Sequence, residues 1–477
     1  MKQRIIYKAI ALVFISLAIG GCKVPSTAIK TQNIPVPLSY KNSQDSTNTA
    51  NIKWKEFFSD KILISLIDTA LKNNLDVLTT LQEIEVAKSN VRFRKGLLFP
   101  TVSGGAAVGL EKVGRYTSQG AGDASAEITP GEIVPENLTD YFVGLHTTWE
   151  VDIWGKLRNA KKAAFSKFLG SIEGKNFVIT NLVAEVANTY YELLAQDNQL
   201  DIIRETIQIQ KNALEIVKIQ KQATNVTELA VKQFEAQVLN SQSMEFDVLQ
   251  KITESENKIN FLLGRFPQPI VRDKGYFNDS ISLQIKTGIP SQLLRNRPDV
   301  KRAELELLAT KCDVKAAQAE FYPSLSITGL FGFQGFKATY LFVTPQSLAY
   351  SIIGDLTAPL INRSAIKAEF SKAKAYQLEA LYDYQKTVLN GYVEVSNEVS
   401  SINNLKQAYD IKAKEVEVWK TAIDISNDLF NSARANYLEV LMTQKEALAS
   451  KLELVETKKQ QYNSITNLYK ALGGGWR

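Results

Sequence analysis

The chain has little of what most enzymes need. Its 477 residues hold two cysteines, one histidine and three methionines. Two cysteines allow no disulfide framework, and no paired-cysteine motif offers a zinc site. His146 is the only histidine, so every Ser/His/Asp arrangement would have to use it. No Gly-rich phosphate loop is present, and the chain reads as a non-enzyme with no cofactor and no metal. Met244 and Met442 are the only methionines after the initiator, too few for a thioether path for copper. Long apolar runs are missing as well. After the first two dozen residues nothing approaches the ~18–20 apolar residues of a membrane-spanning helix.

What is present starts at the N-terminus. Lys2, Arg4 and Lys8 precede an apolar run from Ala9 to Ile19, the layout of a secretory signal peptide over residues 1–21. Those three cations account for half of the formal +6 charge, so no electrostatic footprint for nucleic acid remains. Ile19-Gly20-Gly21-Cys22 resembles a bacterial lipobox, which makes Cys22 the expected lipidation site. Residues 22–53, rich in Ser, Thr, Asn and Pro, read as a flexible tether. Cys312 is left as a lone thiol on a predicted helix.

The chain then says much the same thing twice. Phe99-Pro100-Thr101-Val102-Ser103 recurs as Tyr322-Pro323-Ser324-Leu325-Ser326, and Leu263-Gly264 recurs as Leu472-Gly473. Gln233-Phe234-Glu235-Ala236 is echoed by Gln444-Lys445-Glu446-Ala447. A spacing beyond 200 residues is no solenoid period, which runs ~20–50 residues. It marks a duplicated half, with a first repeat over 54–270, a linker at 271–288 and a second repeat over 289–477.

Each repeat carries long helices. One amphipathic stretch runs from Asp60 to about Leu98. A proline-free stretch from about Lys156 to Ala223 keeps a coiled-coil seam through Leu182, Val186, Leu193, Leu200, Ile203, Ile207, Leu214 and Val217. Its counterpart, about 365–432, has a seam that includes Leu381, Val388, Tyr392, Val395, Val399, Ile402 and Val416. A helix of that length is ~100 Å long at ~1.5 Å per residue, more than a globular domain spans. Shorter helices follow at about 227–263 and 438–472, and another runs from Pro298 to about Phe321.

Each repeat also carries two alternating segments, at about 100–111, 141–152, 323–334 and 348–360. Val102, Tyr141, Val143, Ile327, Phe331, Tyr350 and Ile352 fall on one side. Ser103, His146, Thr148, Ser326, Thr328, Ser351 and Thr357 fall on the other. The lengths suit transmembrane β-strands. Tyr141, Trp149, Tyr322 and Tyr340 stand near strand ends, as an aromatic girdle does. Glu111, Glu150, Asp152 and Asp355 fall on the polar side and are the candidate lumen lining. Four strands cannot close a barrel, for which about eight are needed. The barrel must be shared between chains, and a homotrimer supplies twelve strands.

Two blocks carry a family resemblance. Ile289-Pro290-Ser291-Gln292-Leu293-Leu294-Arg295-Asn296-Arg297-Pro298-Asp299-Val300 resembles the IPxxLLxxRPDV signature of TolC-like outer-membrane efflux factors of the NodT-type lipoprotein branch. Trp149-Glu150-Val151-Asp152-Ile153-Trp154-Gly155-Lys156-Leu157-Arg158 is similar to the family's WELDLWGRLR segment. The resemblance spans about Trp54 to Leu472. It implies a mainly α fold with a membrane β-barrel part: two structural repeats, a trimeric α-helical barrel of long coiled-coil helices, and a twelve-stranded outer-membrane barrel. It implies an outer-membrane exit duct of a tripartite efflux pump in a Gram-negative bacterium. The implied partners are outer-membrane lipid, a periplasmic adaptor protein and an inner-membrane transporter of the resistance-nodulation-division type. A type I secretion duct for proteins and a non-conducting lipid-anchored coiled-coil scaffold are the alternatives. The scaffold would need neither a polar strand face nor an aromatic girdle.

At the helix-to-helix turns the family often places aspartates where this chain has Ala230 and Ala435. Glu228, Asp428, Arg434 and Glu439 stand near those turns and are the candidate gate or adaptor-contact residues. Pro298 and Asp299 suit the start of a helix, one by its fixed φ and the other by its charge at the positive helix end.

Overall fold

The computed structural model describes residues 25–28, 37, 39–40, 48–223, 226–278, 286–359, 361, 363–432 and 434–477. The expected signal peptide, Cys22, Thr224-Asn225 and Leu360 lie outside the described residues, as do most of the expected tether and part of the 271–288 linker. The main elements, in chain order, are helices α1 (Lys61–Asn73) and α2 (Leu75–Gly96), strands β1 (Thr101–Glu111) and β2 (Leu138–Val151), helices α3 (Lys156–Gln222), α4 (Glu228–Leu262) and α5 (Pro298–Ala319), strands β3 (Ser324–Gly335) and β4 (Leu348–Thr357), and helices α6 (Ser364–Asn431) and α7 (Tyr437–Ala471). Two compact units emerge. One holds the sheet (Val86–Phe168 and Leu305–Leu381, with Met1–Thr31), the other the remaining helices (Gln32–Glu85, Leu169–Glu304 and Tyr382–Arg477).

In the sheet unit the four strands run antiparallel in the order β1-β2-β3-β4. The middle of the β2–β3 pair needs glycine. A Cβ on Gly144 or Gly332 would lie 2.4–2.6 Å from backbone atoms of the facing strand, and the Phe142 ring sits against both residues. Strand β1 and strand β4 are the edges, and no strand of this chain pairs on their outer sides among the described residues. The loop between β1 and β2 holds a short helix, Ser118–Asp123, and a two-strand hairpin, Glu127–Thr129 with Glu132–Ile133.

In the helical unit the expected single stretch from Asp60 to Leu98 is instead two helices. Asn74 is extended (φ −61°, ψ 128°) and accepts hydrogen bonds from Asp76 N (2.9 Å) and Val77 N (3.1 Å), so it ends α1 and caps α2. Its amide donates to the Leu262 carbonyl at the end of α4 (3.0 Å). Short polar side chains compete with helical hydrogen bonding in this way, and apolar spacing does not reveal it. Gly264 (φ +66°) packs on the Asn73 carbonyl, where a Cβ would approach to 2.4 Å, so both the conformation and the space require glycine.

The core of this unit is aromatic. The fully buried Tyr190 donates to Asp60, which caps α1. Tyr191 stacks on Tyr462 (4.4 Å) and Phe57 on Tyr469 (3.9 Å). Tyr469 donates to the Ile52 carbonyl (2.7 Å), and burial pushes its hydroxyl up to about 12. Residues 48–50 are thus packed rather than free: all three are buried and Asn48 bridges Thr287, which corrects the tether expectation for this stretch. Pro298 opens α5 as expected, but Arg297 does more than precede it. Its guanidinium is buried and holds Asp299 (2.7 and 3.0 Å), Glu394 of α6 (2.6 Å) and the Ala471 carbonyl of α7 (2.9 Å). Gly391 leaves room for it: a Cβ there would lie 3.2 Å from the Arg297 side chain.

The duplication is explicit in the helix ends. Thr227 and Asn436 cap α4 and α7, and both helices have 35 residues. Each ends in the same reverse turn, with Arg265 N bonded to Asn260 O and Gly474 N to Tyr469 O, around glycines of positive φ (Gly264 and Gly473). Both pairs of caps are separated by 209 residues. The Gln233/Gln444 echo is displaced two residues from that register and is not a structural equivalence.

Candidate functional site: sheet faces and helical turns

Antiparallel register decides which residues share a face. Val108, Tyr141 and Gly335 lie in one row, and Ala106, Val143, Phe333 and Leu348 in the next. Continuing by twos gives a face of Leu145, Phe331, Tyr350, Ile327 and Leu356 with Trp149 at its end. It is apolar and exposed: Val108 is 73%, Tyr350 76% and Ile352 83% accessible. A patch of this kind is not left to water in a stable protein. Tyr141 and Trp149 share that face eight residues apart, ~26 Å at ~3.3 Å per residue before tilt, which suits the ~25 Å apolar band of a membrane barrel.

The opposite face carries Ser103 beside His146 and Thr148 beside Thr101 and Thr328. Glu150, Ser326 and Asp355 form one row across three strands. Glu150 is paired with Lys156 (2.9 Å), and Asp355 accepts from Thr357 (3.1 Å). Glu111 is exposed at the far end of β1, opposite Leu138. Asp152 differs. It caps α3, accepting from Leu157 N (2.9 Å), Arg158 N (2.8 Å) and Arg158 Nε (3.0 Å), with its side chain only 9% accessible. That corrects its place in the lining: a carboxylate held by three donors at a helix start does not stand free.

The aromatic residues divide likewise. Trp149 lies on the apolar face and donates to the Leu98 carbonyl (3.1 Å). Tyr322 stacks on Trp154 (4.7 Å, 19°) in a crevice lined by Glu150, Ser324 and Thr357 of the polar face, so it does not belong to a girdle on the apolar face. Tyr340 lies in the β3–β4 loop against Phe336 (5.3 Å) and not on a strand.

The helical unit brings the two helix-to-helix turns together. Leu214, Val217, Phe234 and Val238 of the first hairpin pack with Phe430 and Val440 of the second. Glu228, Asp428, Arg434 and Glu439 therefore gather at one end of that unit, all exposed. Glu228 is held by Lys221, and this hydrogen bond keeps its carboxyl below the usual range. Arg434 N closes the second turn on the Leu429 carbonyl (2.8 Å), and Glu439 N is capped by Asn436 (3.1 Å). Ala230 is completely buried beneath its own cap, so a carboxylate there would sit in the apolar cluster.

Comparison with known proteins agrees with this architecture. The model of the outer membrane efflux protein family matches residues 66–265 and 289–474. The chain belongs to the outer membrane efflux protein family. Among relatives of this efflux protein, the solvent efflux pump outer membrane protein SrpC of Pseudomonas putida is 27% identical over 97% of each chain. The pyoverdine export outer membrane protein OpmQ of Pseudomonas aeruginosa is 26% identical over 98% of this chain and 97% of its own. A membrane protein of P. aeruginosa superposes with a TM-score of 0.83 at 24% identity, over 95% of this chain and 98% of its own. The Neisseria gonorrhoeae MtrE channel, solved in its open state, superposes at 0.81 and 20% identity, over 95% and 98%. The efflux-protein fold thus covers nearly the whole chain, and the two matched segments are its two repeats.

Two features of this efflux protein escaped the sequence. Asp140, at the end of β2 away from α3, is held by Gln334 (2.9 and 3.0 Å) and belongs to the polar face, but a neighbouring run of loop residues hides the start of its strand. The Trp154–Tyr322 pair joins residues 168 positions apart, which no local pattern reports.

Proposed function

We propose that this efflux protein is the outer-membrane exit duct of a tripartite pump, passively conducting small molecules handed over by a periplasmic adaptor and an inner-membrane transporter of the resistance-nodulation-division type. Three chains close the barrel by pairing β1 of one with β4 of the next, giving twelve strands with the apolar face in lipid and the polar face around the lumen. The observation that carries this reading is the pair of unlike sheet faces together with two unpaired edges of 11 and 10 residues. An edge of that length and apolarity is an aggregation site unless it is paired. Cys22 is lipidated and adds an anchor. Pro25 and Ser26 accept hydrogen bonds from Gln318 (3.0 Å) and Lys374 (3.1 Å), which ties these two residues to the sheet unit. Glu228, Asp428, Arg434 and Glu439 control the closed end or meet the adaptor.

The test is single-channel conductance of the purified protein in planar bilayers, with Glu439→Ala and Asp428→Ala alongside. Uniform steps that grow in the variants are expected. Membrane-inserted trimers that stay silent, variants included, would leave the scaffold.

A further inference from the structure

The crevice at the base of the sheet is a candidate binding site in its own right. It measures about 270 Å³ and is bounded by β2, the start of α3, the end of α5, β3 and the end of β4, all of one chain. The Trp154 ring is fixed on one side by Tyr322 (4.7 Å, 19°) and at its edge by a hydrogen bond from Nε1 to the Pro323 carbonyl (2.7 Å). It nonetheless remains 49% accessible. An indole held flat and left half open offers a negative π-face to a cation.

The charges around it point the same way. The crevice holds Glu150, Asp152, Glu320 and Lys156. Lys156 is engaged by Glu150, and Asp152 is committed to the α3 start and Arg158. Glu320 is half-buried and its carboxylate has no partner among the described residues. The one open charge is therefore negative, and it lines the same crevice as the open aromatic face. Ser324 and Thr357 of the polar face form one wall, so the crevice opens on the side that the proposed duct uses for solutes.

We infer that this crevice is a binding station for small organic cations, with Trp154 as the π-platform and Glu320 as the counter-charge. The side of entry rests on the duct reading. The binding chemistry does not, because every wall belongs to one chain.

The probe is benzyltrimethylammonium, titrated into the full chain in detergent and followed by saturation-transfer difference NMR, with phenylmethanesulfonate as the anion of similar shape. Saturable binding of the cation and at least fivefold weaker binding of the anion are expected. Trp154→Ala and Glu320→Gln each weaken cation binding about fivefold or more, while Trp154→Phe, which keeps a ring and the fold, loses less. Equal binding of both probes, or an affinity unchanged in Glu320→Gln and Trp154→Ala, overturns the proposal. A protein that conducts without binding the cation refutes the site alone. One that binds with this pattern but does not conduct refutes the duct alone.

Discussion

Helices α3 and α6 are copies of one design and live in different surroundings. They have 67 and 68 residues, and each precedes a 35-residue partner. Within the helical unit α3 is the spine of the core, burying Leu182, Val186, Tyr190, Leu193, Leu200, Ile203, Leu214 and Val217. Over the same unit α6 buries only Gly391, Val395, Ser426 and Phe430. Tyr392, Val399 and Ile402 pack half-buried on the core, and other apolar residues form a second, open seam: Ile411, Val418 and Ile425 recur at sevens and are 66%, 67% and 54% accessible. A heptad stripe wants a partner helix. The duplication thus copied the backbone plan but left one copy to find part of its packing elsewhere, in the proposed trimer on a neighbouring chain.

The largest way to break this contrast is a matched pair of charges. Val186→Glu puts an unpaired carboxylate into the core at a cost of several kcal/mol, about 3–5, a large part of a typical domain's stability. A melting transition lowered by many degrees is expected by circular dichroism. Val418→Glu is expected to leave the helical signal intact and to abolish the trimer in light scattering. A stable Val418→Glu trimer would mean that the open seam is not an interface.

The next effect compares two arginine clamps. Arg297 binds Asp299, Glu394 and a carbonyl, and Arg272 binds Asp197 and Glu256. Their side chains are 6% and 16% accessible. Removing one partner of a buried ion pair costs about 3–5 kcal/mol. Arg297→Ala is expected at the upper end, Arg272→Ala below it, and Arg297→Lys is not a rescue because the fork to Asp299 is lost. Thermal unfolding of the three variants checks the order.

A smaller effect follows from Glu398 of α6, which stands where α3 has the buried Thr189. Burial raises its carboxyl pKa, against hydrogen bonds from Ser464 and Asn467. A raised carboxyl pKa means the charged form is penalised in the folded state, so the penalty is present above that pKa and relieved as pH falls through it. Glu398→Gln is expected to raise the melting temperature by about 1–2 °C at pH 8 and by less near pH 5. The smallest effect belongs to Glu228→Gln. The Lys221 contact is exposed and the Glu228 pKa is lowered, so it persists from neutral pH down through the ordinary carboxylate range and is lost only below it. No change in melting temperature is expected at pH 7.

The fold was largely legible, and the reasons are local. Period-two alternation and heptad spacing are written in adjacent residues, so the four strands and long helices could be placed from them. Asn74 was not legible as a break because its cap replaces helical hydrogen bonds without changing the apolar spacing. The candidate residues fared less evenly. Glu150 and Asp355 lie on the polar face because parity is a backbone property. Asp152 and Tyr322 went elsewhere because a helix start and a ring stack claimed them, and neither interaction has a sequence period. The exposed seam of α6 was present in the sequence but overshadowed by the more regular half-buried one.

On the proposed reading, one sheet face lines a conducting lumen and the other meets lipid. Ser326→Cys and Ile352→Cys, each in a Cys312→Ser background, test it when a membrane-impermeant thiol reagent is added during single-channel recording. A stepwise fall in conductance is expected for Ser326→Cys and no response for Ile352→Cys. A response at Ile352→Cys with silence at Ser326→Cys would contradict it.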